Sequence, residues 1–304
     1  FRAEGTTLEV RVSVAEVSSP ERQVFRVVAE NGDVAWRGEV VVRPQRKWSV
    51  SLVHHTHLDV GYTDRQEVVT KNHMQYLDSV LDLVDRTSAW NDDVRFRWNV
   101  EVNWPLERWF ACRSQRDHRR MLDAVRAGQV SVSAMSLNMH TEACAIEELY
   151  EMMRFAVELR TTYGVPVTSA MQTDVPGGVT GLVEVLSDVG VSFLSVAHNY
   201  AGRSVPYLIG GEKLGRPFYW KAPSGKRLLV WHTDTLHGNA YMEGNIVGLA
   251  ESFAVAQESF PCYLAALAER PYPFDSGTWL PEATKVERDP YPHDVLHLRV
   301  QGKY

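Results

Sequence analysis

From Trp48 onward this chain alternates short apolar segments with amphipathic stretches, and nearly every apolar segment runs out into polar side chains. That pattern constrains the fold more than any single motif. Short apolar runs separated by helical periodicity read as mainly parallel strands joined by helical crossovers. The strand candidates are 48–54, 94–100, 130–135, 167–172, 191–196, 227–231 and 294–300, with 48–53 expected as a buried strand. Between them lie helices, among them 145–160, with Ile146, Leu149, Met153 and Ala156 on one face, and 245–258, which Pro261 is expected to end or kink. The polar ends are His57 and Asp59, Glu101 and Asn103, Asn138 and His140, Asp174, His198 and Asn199, and His232 and Asp234. Right-handed crossovers bring such ends to one rim, where ligands gather in α/β proteins. The expectation is a polar, metal-holding pocket.

Residues 1–47 differ. They alternate apolar and polar positions, as in LEVRVSV and GEVVVR, between turn-rich segments such as SSPE and ENGD, and read as antiparallel sheet. The boundary is expected near Arg46, which makes 1–47 a β-rich segment of a preceding domain and 48–304 an α/β domain. With 304 residues, 44% apolar and 23% charged, the chain can bury one large core or a core plus an appendage. A net charge of −6 without a basic cluster argues against nucleic acid or an anionic membrane surface as partner. No apolar run approaches the roughly 18–20 residues of a membrane span. Cys112, Cys144 and Cys262 are scattered, so neither a disulfide scaffold nor a cysteine metal site is expected. The start at Phe1 and the end just after VLHLRV read as cuts through a longer polypeptide.

The densest chemistry sits in HHTHLDVGYT, His54 to Thr63, after the first apolar segment of the α/β region. Thr63 and Gln66 fit a capping box, and Val69, Tyr76, Leu77, Val80, Leu81 and Val84 follow at helical spacing, so the motif occupies a strand-to-helix loop. Imidazole nitrogen and carboxylate oxygen suit zinc, and a catalytic zinc takes three protein ligands with one position open. His57 and Asp59 supply two. Asp174, in AMQTDVPGG, ends another apolar run and would face the same rim, although the same residue can also be read as a cap on the helix expected near Thr180.

Four segments carry a resemblance: HTHLDVGYT, RWNVEVNWPLE, SLNMHTEAC and above all QTDVPG. Over residues 48–304 the chain resembles the amino-terminal catalytic domain of glycoside hydrolase family 38, the α-mannosidases. The resemblance implies a distorted seven-stranded β/α barrel and a zinc-dependent retaining α-mannosidase acting on a carbohydrate substrate through a covalent glycosyl-aspartate intermediate. It implies His57, Asp59 and Asp174 as zinc ligands, with Asp174 also the nucleophile. Tyr62 stands where the family carries an aromatic that supports the sugar ring, and His198, His232 and Tyr241 are assigned with it to substrate binding. The family's further histidine ligand has no unambiguous match among His198, His232 and His237, and it and the general acid are expected beyond Tyr304.

Chemistry supports the same assignment. A retaining glycosidase needs a carboxylate nucleophile and a carboxylic acid about 5–5.5 Å apart. Zinc can hold neighbouring sugar hydroxyls and so recognise an axial 2-hydroxyl. Two other readings use the same residues. An amidohydrolase-like enzyme would pair His55 with His57 as metal ligands and leave Asp59 aside, and a sugar-binding module would bind without turnover. A polysaccharide deacetylase lacks support, because its Asp-Asp-Gly signature is absent. Trp98, Trp104 and Trp109 are read mainly as core.

Overall fold

The computed structural model describes residues 2–4, 7–9, 23–31, 34–42, 48–175, 178–197, 217–232, 248–249, 251–268 and 294–301. Contacts divide the chain into two compact units, Phe1–Ser49 with Asp275–Val295 and Val50–Phe274 with Leu296–Tyr304. The first contains two antiparallel pairs. Strands β1 (Arg2–Glu4) and β2 (Thr7–Glu9) pair from Arg2 opposite Glu9, and β3 (Gln23–Asn31) and β4 (Val34–Val42) pair from Gln23 opposite Val42.

The α/β region follows in the order β5 (Trp48–His55), α1 (Gln66–Thr87), β6 (Trp98–Val100), α2 (Trp104–Cys112), α3 (Gln115–Arg126) and β7 (Val130–Val132). It continues with α4 (Ile146–Glu151), α5 (Arg154–Tyr163), β8 (Ser169–Thr173), α6 (Thr180–Asp188), β9 (Phe193–Ala197), β10 (Phe218–Lys221), β11 (Arg227–His232), α7 (Phe253–Ala268) and β12 (Asp294–Gln301). These strands form two four-stranded sheets, β12-β5-β6-β7 and β10-β11-β9-β8. The β5–β6, β6–β7, β8–β9 and β9–β11 pairs are parallel, and β10 is antiparallel to β11. The sheets adjoin at β7 and β8, where Ala134 N–H donates to Ser169 O at 2.9 Å and Met171 N–H to Ser133 Oγ at 2.9 Å. Among the described residues the sheets do not close into a barrel.

Helical faces cover these strands. On α1, Val69, His73, Leu77, Val80, Leu81 and Val84 are buried at helical spacing, and on α6 Leu182, Val183, Val185 and Leu186 are fully buried. Each such apolar side chain contributes about 1.5–3 kcal/mol as an upper bound. Trp109, also fully buried, donates its indole N–H to Asp78 at 2.7 Å. It is core, as the sequence suggests.

Several elements depart from expectation, each for a local reason. The helix expected over 145–160 is two helices, because Met152 O accepts from Ser136 N–H at 3.1 Å, in the loop after β7, and the helical ladder is interrupted there. The Thr63 capping box is not formed. Helix α1 starts at Gln66 with Arg65 extended as its cap, and Arg65 O accepts from Val68 and Val69 N–H. Strand β6 is shorter than 94–100, since Asp92–Val94 form a 3₁₀ turn and Phe96 N–H is taken by Thr87 Oγ at 3.1 Å. The helix expected over 245–258 begins at Phe253, where Ser252 Oγ accepts from Val255 N–H at 3.2 Å, and it continues through Pro261. Strand β5 is not buried throughout: Leu52 is 43% exposed. Strand β10, not expected from the sequence, is made by a tight turn at Ala222–Lys226 that uses Gly225 at φ +90°.

Candidate metal centre

Parallel register sets which residues share the rim. His55 is level with Asn99, Val100 with Val132, Thr173 with Ala197, and Val196 with His232. The carboxyl ends of β5, β6 and β8 therefore carry, just beyond the last paired residues, His57 and Asp59, Glu101, and Asp174.

His57 is 3% exposed. Its Nδ1 lies 2.8 Å from Glu101 Oε1, an acceptor, so Nδ1 carries a proton and Nε2 points the other way. On that side Nε2 is 3.4 Å from Asp59 Oδ1 and 3.6 Å from Asp174 Oδ2. The three side chains offer ligand atoms that all lie within 4.8 Å of one another. Asp59 and Asp174 are partly exposed, so one side of the group faces outward.

Asp174 reaches this position through its backbone. Its N–H donates to Ala197 O at 2.8 Å, prolonging the β8–β9 pairing by one residue, and its φ of +60° is the one positive value at a non-glycine position among the described residues. A left-handed aspartate is tolerated at modest strain, and such strain collects at functional sites. Helix α6 has Val179 at its cap and no side-chain cap bond, so Asp174 is not the helix cap. Asp174 Oδ1 is buried and has no hydrogen-bond partner among the described residues. A carboxylate oxygen in that condition is costly unless a cation meets it.

The electrostatics agree. Burial alone would lower the His57 pKa, but Glu101, then Asp174 and Asp59, outweigh it and hold the ring up at about 12. Three carboxylates around one imidazole bind positive charge strongly. A nitrogen and two carboxylate oxygens with an outward opening form a donor set that fits zinc.

Glu101 lies behind this group, 2% exposed. Its Oε2 is 2.5 Å from His55 Nδ1, while Oε1 accepts from His57 and, at 2.5 Å, from Asn138 Nδ2. Burial raises the Glu101 pKa, yet the two histidines and their hydrogen bonds more than reverse this and keep it ionised. His55, fully buried, is therefore held by Glu101 and stands outside the three-residue group, unlike the His55–His57 ligand pair of the amidohydrolase-like reading. Glu101 and Asn138 were visible in the sequence only as polar strand ends. Their partners lie 44, 37 and 35 residues away, at separations no local pattern encodes.

The remaining expected residues fall as follows. Tyr62, three positions after Asp59, is 84% exposed. His232 ends β11, and its side chain lies outside the described residues, as do His198 and Tyr241 altogether. Asn103 is buried and donates to Ser133 O at 3.1 Å and Ala134 O at 2.9 Å, which makes it a tie between strand ends. His140 is exposed beside Glu142.

No curated protein matches the chain in sequence. Among solved structures, the fold is similar to an α-mannosidase from Enterococcus faecalis V583, at 15% identity and TM-score 0.57, over 84% of this chain and 25% of that one. It is also similar to a family 38 glycosyl hydrolase protein from Enterococcus faecalis, at 14% identity and TM-score 0.52, over 84% and 24%. A 4-α-glucanotransferase from Thermococcus litoralis is similar at 15% identity and TM-score 0.50, over 84% and 34%. The chain thus spans a quarter to a third of the length of these proteins. Residues 47–260 match the model of the glycosyl hydrolases family 38 N-terminal domain, and with that match over most of its length the chain belongs to glycosyl hydrolase family 38.

Proposed function

We propose that this chain forms the catalytic domain of a zinc-dependent retaining α-mannosidase, with residues 1–47 part of a preceding β-rich domain and the two mainly parallel sheets part of a distorted seven-stranded β/α barrel. The observation that carries the reading is the convergence of His57, Asp59 and the buried oxygen of Asp174, unpartnered among the described residues, at one strand edge of a family 38 domain.

In this reading His57, Asp59 and Asp174 hold one zinc ion, which when bound supplies a positive charge that can orient sugar hydroxyls. Asp174 is the nucleophile. Its carboxylate attacks the anomeric carbon as the glycosidic C–O bond breaks, and a separate carboxylic acid gives its proton to the leaving oxygen. Water then attacks the same carbon after losing a proton to that second group, which frees the Asp174 carboxylate. The left-handed turn at Asp174 fixes the carboxylate against His57 and leaves it little freedom to lose in the transition state. Tyr62 offers an exposed ring to the sugar, with His198, His232 and Tyr241 contacting its hydroxyls.

The test begins with elemental analysis. Wild-type protein is expected to carry one zinc, and Asp59→Ala to lose it. Full zinc in Asp59→Ala with loss in His55→Ala would replace this ligand set with the amidohydrolase-like one. A fluorinated mannosyl inactivator should label Asp174; a label on another carboxylate, or products of inverted configuration, would remove Asp174 from the nucleophile role.

A further inference from the structure

We infer that Glu101 and Asn138 are positioning residues that hold the two halves of the metal centre, the His57 loop and the Asp174 strand end, in one geometry. This rests on the zinc reading above and extends it to residues that touch neither metal nor substrate.

Each polar atom of the pair is used. Glu101 Oε1 takes His57 Nδ1–H at 2.8 Å and Asn138 Nδ2–H at 2.5 Å, and Oε2 faces His55 Nδ1 at 2.5 Å. Asn138 Oδ1 accepts Thr173 N–H at 2.9 Å, one residue before Asp174. The amide orientation is fixed by these partners. Reversing it would set oxygen against the Glu101 carboxylate and an N–H against the Thr173 N–H.

Two consequences follow for the centre. Glu101 engages His57 Nδ1–H and so turns the ring until Nε2 faces Asp59 and Asp174, as carboxylates behind metal-bound histidines do. Asn138 then transmits the position of this carboxylate to the end of β8. The imidazole and the Asp174 carboxylate come from β5 and β8, strands of different sheets. A chain of three hydrogen bonds through buried His57 and Glu101 and half-buried Asn138 joins them, and Thr173 at its far end is fully buried. A buried carboxylate is an expensive way to stabilise a fold, and an apolar side chain of similar size would commonly serve as well. Its place behind His57 is accounted for by orientation of the ligand.

The experiment measures zinc affinity by competition with a chromophoric chelator on wild type, Glu101→Gln and Asn138→Ala, with circular dichroism and thermal melts on the same samples. Asn103→Ala is the control, since it removes a buried amide of comparable role in the strand ends but outside the Glu101 chain. Glu101→Gln keeps the size and an acceptor for His57 but removes the charge. Glu101→Gln and Asn138→Ala are expected to bind one zinc about 10- to 100-fold more weakly, while Asn103→Ala lowers the melting temperature with zinc affinity unchanged. Wild-type affinity in folded Glu101→Gln and Asn138→Ala would overturn the positioning role and leave the zinc reading standing. So would equal weakening in Asn103→Ala, which would make the effect one of general stability. A wild-type protein that binds no zinc would instead sink the zinc reading, and this inference with it.

Discussion

His73 should make this protein acid-labile by an amount the structure sets. It sits on the inner face of α1, 5% exposed, its Nε2 without a hydrogen-bond partner among the described residues and its ring edge-on to Tyr76 at 5.5 Å. The adjoining cavity of about 20 Å³, lined in part by Asn99 and Glu101, has room for one water and no hydration shell. Burial lowers the His73 pKa from 6.5 to about 4, the opposing pull of Glu101 being smaller. The sign follows directly. With the folded value depressed, the unfolded chain binds the proton first, so stability is complete above the unfolded pKa and falls as pH drops toward the folded one. The full loss is about 3 kcal/mol, at about 1.4 kcal/mol per unit. Between pH 7 and pH 5 it amounts to about 2 kcal/mol. Urea unfolding followed by circular dichroism at both pH values, on wild type and His73→Phe, isolates this contribution, because other titrating groups act on both proteins alike. The phenylalanine variant should lose about 2 kcal/mol less than wild type over that interval. Parallel losses in the two proteins would refute the argument that His73 is buried uncharged.

Three further outcomes are expected. Asp174→Gly should abolish zinc binding and turnover, yet in chelator-treated protein it should melt at or above the wild-type temperature, since glycine relieves a left-handed aspartate at φ +60° by about 1 kcal/mol; a lower melting temperature would mean that the carboxylate holds the fold. Asp78→Asn should cost about 1 kcal/mol at low ionic strength and less in high salt, because it weakens the half-exposed bidentate pair with Arg113 at 2.7 and 3.0 Å; a loss insensitive to salt would assign the effect to the Trp109 indole bond instead. Gly164→Ala should cost about 1 kcal/mol in thermal unfolding, since Gly164 ends α5 at φ +64° with open space around its Cα, and no shift in the melt would contradict a strained cap.

Apolar patterning alone points to the class of fold and to the donor groups of the candidate site. Apolar segments ending in polar residues, with helical periodicity between them, leave a parallel α/β arrangement as the way to bury both, and this pattern survives local errors in where helices begin. His57, Asp59 and Asp174 were legible because each stands directly after an apolar run, and parallel strands deliver such residues to one edge. The tertiary structure decided what lies between them. That Glu101 bridges His55 and His57, and that Asn138 links it to Thr173, depends on the register of β5, β6 and β8 and on contacts between residues 35 to 46 positions apart. The interruption at Met152 has the same origin, a carbonyl claimed by Ser136 from a distant loop. The left-handed backbone at Asp174 likewise occurs where its N–H bonds to Ala197 of another strand. Local sequence states what a segment can bury and which groups it can offer; hydrogen bonds between strands from different crossovers decide which of those groups meet, and no local periodicity carries that information.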